Sequence, residues 1–224
     1  MALYNRKRIG VVLSGCGVYD GAEIHEAVLT LLNLDQAGAT IICMAPDIRQ
    51  MHVINHLKGE PAANEVRNVL IEAARIARGE IKSLKQVDPK EIDAVIFPGG
   101  YGAAKNLCTF AVDGDKCKVN AEVEQLILAL HQAKKPMGFI CIAPVIAAKV
   151  LAAYHPLLTI GNDSATAAAI ESMGGKHVNA KVDEIVTDEV NKIVSTPAYM
   201  LGPTIAHVAR GIEKCVLKVL EMTK

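Results

Sequence analysis

The strongest constraint on this chain is a rhythm. Apolar runs of strand length recur at Ile9 to Leu13, Ala39 to Ala45, Ala94 to Phe97, Met137 to Cys141, Leu157 to Ile160 and Lys192 to Ser195, with helical spacing between them. Ile24, Ala27, Val28, Leu31 and Leu32 form one apolar stripe, and Val119 to Ala133, Pro144 to Ala153, Ser164 to Met173 and Leu201 to Leu220 offer four more. Strand alternating with helix predicts right-handed βαβ units with helices on both faces of the sheet. The expected fold is a single α/β domain over residues 1–224, doubly wound, mostly parallel and flavodoxin-like. Composition agrees: 51% of residues are hydrophobic but only 4% aromatic, so the core must be built in layers of Val, Ile, Leu and Ala. Two stretches break the rhythm, 47–78 (helical around 64–78) and 105–119, and are expected to be insertions over the edge or mouth of the sheet.

Charge narrows the partners. Lys plus Arg and Asp plus Glu number 24 each, which removes the field that nucleic acid or an anionic membrane would need. A small molecule or a protein is the expected partner. No apolar stretch reaches the roughly 18–20 residues of a membrane span. Residues 1–8 are short and basic with a strand following at once, so a cytoplasmic location is expected. The six cysteines contain no C-x-x-C pair, which argues against a zinc knuckle or a disulfide framework. Cys108 and Cys117 flank the turn 113–116, and two reduced loop thiols are the simplest account of them. His52 and His56 stand four apart without a third ligand, so no metal is expected.

In open parallel sheets, chemistry sits where the strands end and the helices begin. Here those junctions are 14–21, 45–47, 98–102, 141–144 and 161–164. At the fourth, Met137 to Ile140 runs into Cys141, and Pro144 fits the first turn of the next helix. A nucleophile at such an elbow is pushed clear of the sheet, facing open helix amides that lower a thiol's pKa. A small buried core cysteine is the competing reading. At the third junction, Gly99, Gly100 and Gly102 bring bare backbone close to a ligand. The N–H groups of Gly100 and Ile142 are candidates for an oxyanion site. The first junction tempts a dinucleotide reading with Gly15 and Gly17, but Asp20 stands where a third glycine is required. No cofactor is expected. Glu23 and Glu26 lie off the apolar stripe, and periodicity alone makes both solvent-facing.

Residues 14–26 (S-G-C-G-V-Y-D-G-A-E-I-H-E), 97–107 (F-P-G-G-Y-G-A-A-K-N-L), 138–144 (G-F-I-C-I-A-P) and 194–200 (V-S-T-P-A-Y-M) together carry a resemblance. Over essentially its whole length the chain resembles the ElbB glyoxalase-like family, isoprenoid-biosynthesis proteins with an amidotransferase-like domain, within the PfpI and Parkinson-disease protein superfamily. The resemblance implies the class I glutamine amidotransferase-like form of the fold, Cys141 as nucleophile and a glutamate beneath its sulfur, for which Glu26 is the best match. A protonated carboxyl there can hydrogen-bond the thiolate and shuttle a proton. There are departures. Ile142 follows the nucleophile where many superfamily members have His, and the downstream His is replaced near Asn162 and Asp163, which become candidate site-lining residues. His207 is followed by Val208 and Ala209, so the His and Glu pair of a glutamine hydrolase is missing.

The expected activity is cofactor-free conversion of a small reactive dicarbonyl, methylglyoxal or glyoxal, to lactate or glycolate through Cys141. The alternatives are a redox-sensing or accessory protein of isoprenoid metabolism, in which Cys141 becomes a sulfinate beside Glu26, and a cysteine hydrolase of another acyl or amide substrate. The superfamily resemblance also implies a homodimer.

Overall fold

The computed structural model describes residues 7–223; most of the basic segment 1–8 lies outside them. In chain order the elements are β1 (Arg8–Val12), α1 (Ile24–Gln36), β2 (Thr40–Ala45), β3 (Ile54–Asn55), β4 (Glu60–Pro61), α2 (Val69–Ile76), β5 (Ile81–Ser83) and β6 (Ala94–Phe97). There follow α3 (Phe110–Asp113), α4 (Ala121–Gln132), β7 (Met137–Ile140), α5 (Pro144–Val150), β8 (Leu157–Leu158), α6 (Ser164–Ser172), β9 (Lys176–His177), β10 (Val186–Asp188), β11 (Ile193–Thr196) and α7 (Ile205–Glu221). Seven strands form the central sheet in the order β10-β11-β7-β6-β1-β2-β5, parallel throughout except for β10 at one edge. This is the mostly parallel, doubly wound sheet that the alternation predicts.

The pleat sorts side chains into two apolar layers. Val12, Val95, Phe97, Met137 and Phe139 face α4 and α5, while Ile9, Val11, Ile96, Ile140 and Val194 face α1 and α7. Phe97 and Phe139, side by side on β6 and β7, stack with centroids 4.9 Å apart, which adds about 0.5–1.5 kcal/mol to their burial. This rigid pair of strands ends at the third and fourth junctions.

Two expectations need correction. The run from Leu157 to Ile160 does not join the central sheet; only Leu157 and Leu158 pair, with β9, in a separate two-stranded sheet. Side chains take the amides that a longer ladder would use: Thr159 N donates to Ser195 Oγ (2.9 Å) and Gly161 N to Thr159 Oγ1 (3.0 Å). On α1 the apolar stripe largely faces outward, with Ile24, Val28 and Leu32 each more than 40% exposed. The buried positions are Glu26, Ala27, Thr30 and Leu34. The helix packs against α7 with its start at the strand ends, where its inner face meets polar backbone instead of core.

Stretch 47–78 carries the β3–β4 hairpin and α2, which leads to β5 at the sheet edge. Stretch 105–119 folds back on itself, with Cys108 bridged to Val119 and Thr109 N donating to Lys118 O (2.9 Å). Cys108 and Cys117 are free thiols, and both are buried, because the turn packs its sulfurs into the apolar layer of α4 and α5. Among the described residues no helix is long and apolar enough to cross a membrane.

Candidate active site

Cys141 follows β7 with φ of +62°, a left-handed conformation unusual for a residue with a side chain. The surroundings hold it there. Its N–H donates to Thr196 O of β11 (2.9 Å), and Pro144 opens α5 three residues on. The backbone thus turns while still tied to the sheet, and Sγ is directed toward the third junction.

Glycine is required at that junction. A Cβ on Gly99 would collide with Cys141 Cβ and lie 2.7 Å from Glu26 Oε2. Gly100 has φ of +92°, and a Cβ there would run into the backbone of Gly21 to Glu23. The close approach lets the N–H groups of Gly100 and Ile142 hydrogen-bond the Cys141 sulfur. These are the two amides singled out from the sequence as oxyanion donors, and here they point at the Cys141 sulfur itself.

Glu26 is completely buried beside this sulfur, which corrects the solvent-facing reading of both Glu23 and Glu26. Its Oε2 accepts from Gly99 N (2.9 Å) and its Oε1 from Tyr199 N (3.1 Å). Glu23 caps α1, its Oε2 accepting from Glu26 N (2.7 Å) while its own N–H donates to Gly99 O (2.9 Å). Both carboxylates are therefore built into the turn that joins α1 to the third junction. Periodicity misses them because they satisfy backbone rather than core.

Burial dominates the electrostatics. It raises the Glu26 carboxyl to about 8, aided by the neighbouring charge of Glu23 and opposed by the Tyr199 and Gly99 amides. The Cys141 thiol is driven well above its ordinary value, first by burial and then by the charge of Glu26, while the Gly100 and Ile142 amides pull it down. The expectation of a thiol made acidic by the helix start is thus corrected: desolvation outweighs the amides. Near neutral pH the carboxyl and the thiol both hold their protons.

A cleft of about 400 Å³ opens over the sulfur. Cys141, Ile142, Gly100 and Glu23 form part of its lining, and Tyr101, Phe110, Thr166, Tyr199 and Met200 contribute further walls. Asp163 reaches this lining while capping α6 through Thr166 N (2.8 Å), and that hydrogen bonding holds its carboxyl below the usual range. Asn162 is exposed and does not line the cleft, and neither does His207, which pairs with Thr204 Oγ1 (2.8 Å) at the start of α7. Sequence reasoning missed Tyr199, whose amide holds Glu26 and whose hydroxyl meets His25 Nδ1 at 2.8 Å. Its only signal was its place in the 194–200 string.

This arrangement can be set beside known proteins. No family model matches the chain. The ES1 protein homolog, mitochondrial, of Rattus norvegicus is 52% identical, the match covering 97% of this chain and 85% of the relative. The chain belongs to the ES1 family. Another relative, glutamine amidotransferase-like class 1 domain-containing protein 3, mitochondrial, of Homo sapiens, is 51% identical over 96% of this chain and 83% of its own length. Among solved structures, an isoprenoid biosynthesis protein with amidotransferase-like domain from Ehrlichia chaffeensis superposes with a TM-score of 0.88 at 37% identity, covering 96% of this chain and 99% of that one. The family resemblance carried by the four sequence strings is therefore upheld. A ThiJ/PfpI domain protein from Brachyspira murdochii, 18% identical with a TM-score of 0.59 over 97% of this chain and 98% of its own, shares the fold. The cytoplasmic expectation is corrected: these ES1 family relatives are named as mitochondrial proteins. A short basic start to the chain was too weak a signal to assign a compartment.

Proposed function

We propose that the chain is a cofactor-independent glyoxalase that converts methylglyoxal or glyoxal, with water, to lactate or glycolate. The observation that carries this reading is a buried thiol and a buried carboxyl side by side, with two backbone N–H groups on the sulfur, at the floor of a small cleft. In the form of the site in which Glu26 has released its proton to solvent, the carboxylate takes the Cys141 proton as the dicarbonyl enters, the sulfur adds to the aldehyde carbon, and the proton passes from Glu26 to the aldehyde oxygen to complete a hemithioacetal. The Gly100 and Ile142 amides, released from the sulfur as the new bond forms, are within reach of the oxygen that gains charge. Glu26, as carboxylate, removes the proton from the former aldehyde carbon and returns it to the neighbouring carbon through an enediol. The product is a thioester at the oxidation level of the hydroxy acid. Water cleaves it, releasing the acid and restoring the thiol, so the sum is one dicarbonyl plus one water to one hydroxy acid with no external oxidant or reductant.

The test is methylglyoxal consumption and lactate formation without glutathione, for the parent protein beside C141A and E26Q. Turnover by the parent that disappears in C141A supports the reading. A parent that forms no lactate, or a C141A variant that keeps the parental rate, overturns it.

A further inference from the structure

A second sulfur site lies away from the cleft chemistry. Cys108 and Cys117 are brought side by side by the backward fold of residues 107–120, in which Cys108 bridges Val119 and Thr109 N donates to Lys118 O (2.9 Å), and the Cys108 thiol donates to Ala103 O (3.4 Å). Cys117 Sγ also donates to Met173 Sδ, 3.8 Å away at the end of α6. All three residues are buried, in one apolar layer. Three sulfurs from two parts of the chain, the 105–119 stretch and the end of α6, thus lie in one buried apolar layer, with Cys117 in contact with Met173. Cys108 also lines a surface groove of about 480 Å³ next to Lys118 and Asn120, which gives the cluster a route to solvent.

From this convergence we infer that Cys108, Cys117 and Met173 form a binding site for a soft monovalent metal ion, cuprous copper. Two thiolates and a thioether are the ligand set that Cu(I) prefers over harder cations. Spacing agrees: metal–sulfur bonds of about 2.3 Å in a trigonal plane put the sulfurs about 4 Å apart, close to the contact observed between Cys117 and Met173. Zinc is disfavoured because its structural sites take four ligands, and among the described residues no group of three or more His, Cys, Asp or Glu stands ready to hold a metal. On binding, Cu(I) displaces one proton from each thiol and adds the thioether without further proton loss. No electron is transferred.

The experiment is anaerobic titration of the reduced full-length protein with Cu(I), in competition with bathocuproine disulfonate, read as copper retained per chain. Copper X-ray absorption reports the donor shell. The parent and C141A are expected to retain one Cu(I) in a three-sulfur shell. The C108S/C117S double variant should lose that copper, with circular dichroism reporting its fold. Met173→Leu, which conserves volume, should weaken retention by at least about tenfold while leaving both thiols in place. Parent protein that yields all its copper to the chelator overturns the site. So does retention unchanged in a folded C108S/C117S or in Met173→Leu, or a Cys108–Cys117 disulfide forming in air when the reduced protein holds no copper.

Discussion

Cys141 and Cys215 belong to the same apolar layer, and both are buried. Cys215, on α7, has only Val194 O for its thiol among the described residues, at 3.9 Å, and burial alone pushes it up to about 12. Cys141 is also driven up by burial, yet it has two backbone N–H groups on its sulfur, a carboxyl beside it and a cleft above. Desolvation by itself silences a thiol. What distinguishes Cys141 is the fixed set of donors and the carboxyl around it, and these come from a positive-φ elbow and a glycine floor that Cys215, inside a regular helix, lacks.

Substitution separates the two thiols. C141A should lower glutathione-free methylglyoxal turnover by at least ~10³-fold. C215A should leave turnover near the parental value and cost only about 1–2 kcal/mol in a denaturant melt, the effect of a small cavity. Equal losses of activity in both variants would mean that the elbow confers nothing. E26Q should reduce turnover by about 10²–10⁴-fold, the usual range for a general acid–base group. Above about pH 8, where Glu26 carries its charge, the same change removes a negative charge that raises the Cys141 thiol, so alkylation of Cys141 by iodoacetamide there should become faster. Slower turnover with faster alkylation is a split that simple unfolding does not produce.

The glycine floor and the buried acid have milder signatures. G99A, forcing a methyl group against Cys141 and Glu26, should destabilise the protein by about 1–3 kcal/mol and slow Cys141 alkylation. Melting temperature measured against pH reads Glu26 directly. Its folded value, about 8, lies above its ordinary 4.5, so the native state keeps a proton that the unfolded chain releases. That stabilisation is complete below about 4.5 and is lost as pH rises through about 8. E26Q should flatten the decline across this window, whereas C215A should leave it as it is.

The sheet was legible because its signal is local and repeated: β1, β2, β6, β7 and β11 all fall on apolar runs of strand length. Cys141 was legible because an elbow announces itself through a strand, a nucleophile and a proline in succession. The inner face of α1 was not. Period-3.6 reasoning assumes that the apolar side of a helix faces the core, and here Val28 and Leu32 point outward while Glu26 is buried. The carboxyl is secured by the amides of Gly99 and Tyr199, contacts 73 and 173 residues away in sequence that no local window sees. Resemblance alone pointed to Glu26. The proximity of Cys117 to Met173 was hidden for the same reason, since the two meet only once α6 packs against the 105–119 stretch.

The bare-backbone floor also governs how such a pocket can diversify. Gly99 and Gly100 admit no side chain without displacing Cys141, Glu26 or the main chain of residues 21–23, so the floor cannot be tuned in small steps. The walls can. Tyr101, Phe110, Thr166 and Met200 come from four separate segments, and none of them holds the sulfur or the carboxyl in place. Exchanging them reshapes the space above an unchanged reactive pair, so descendants of one ancestral chain can part in what they accept long before they part in how they react.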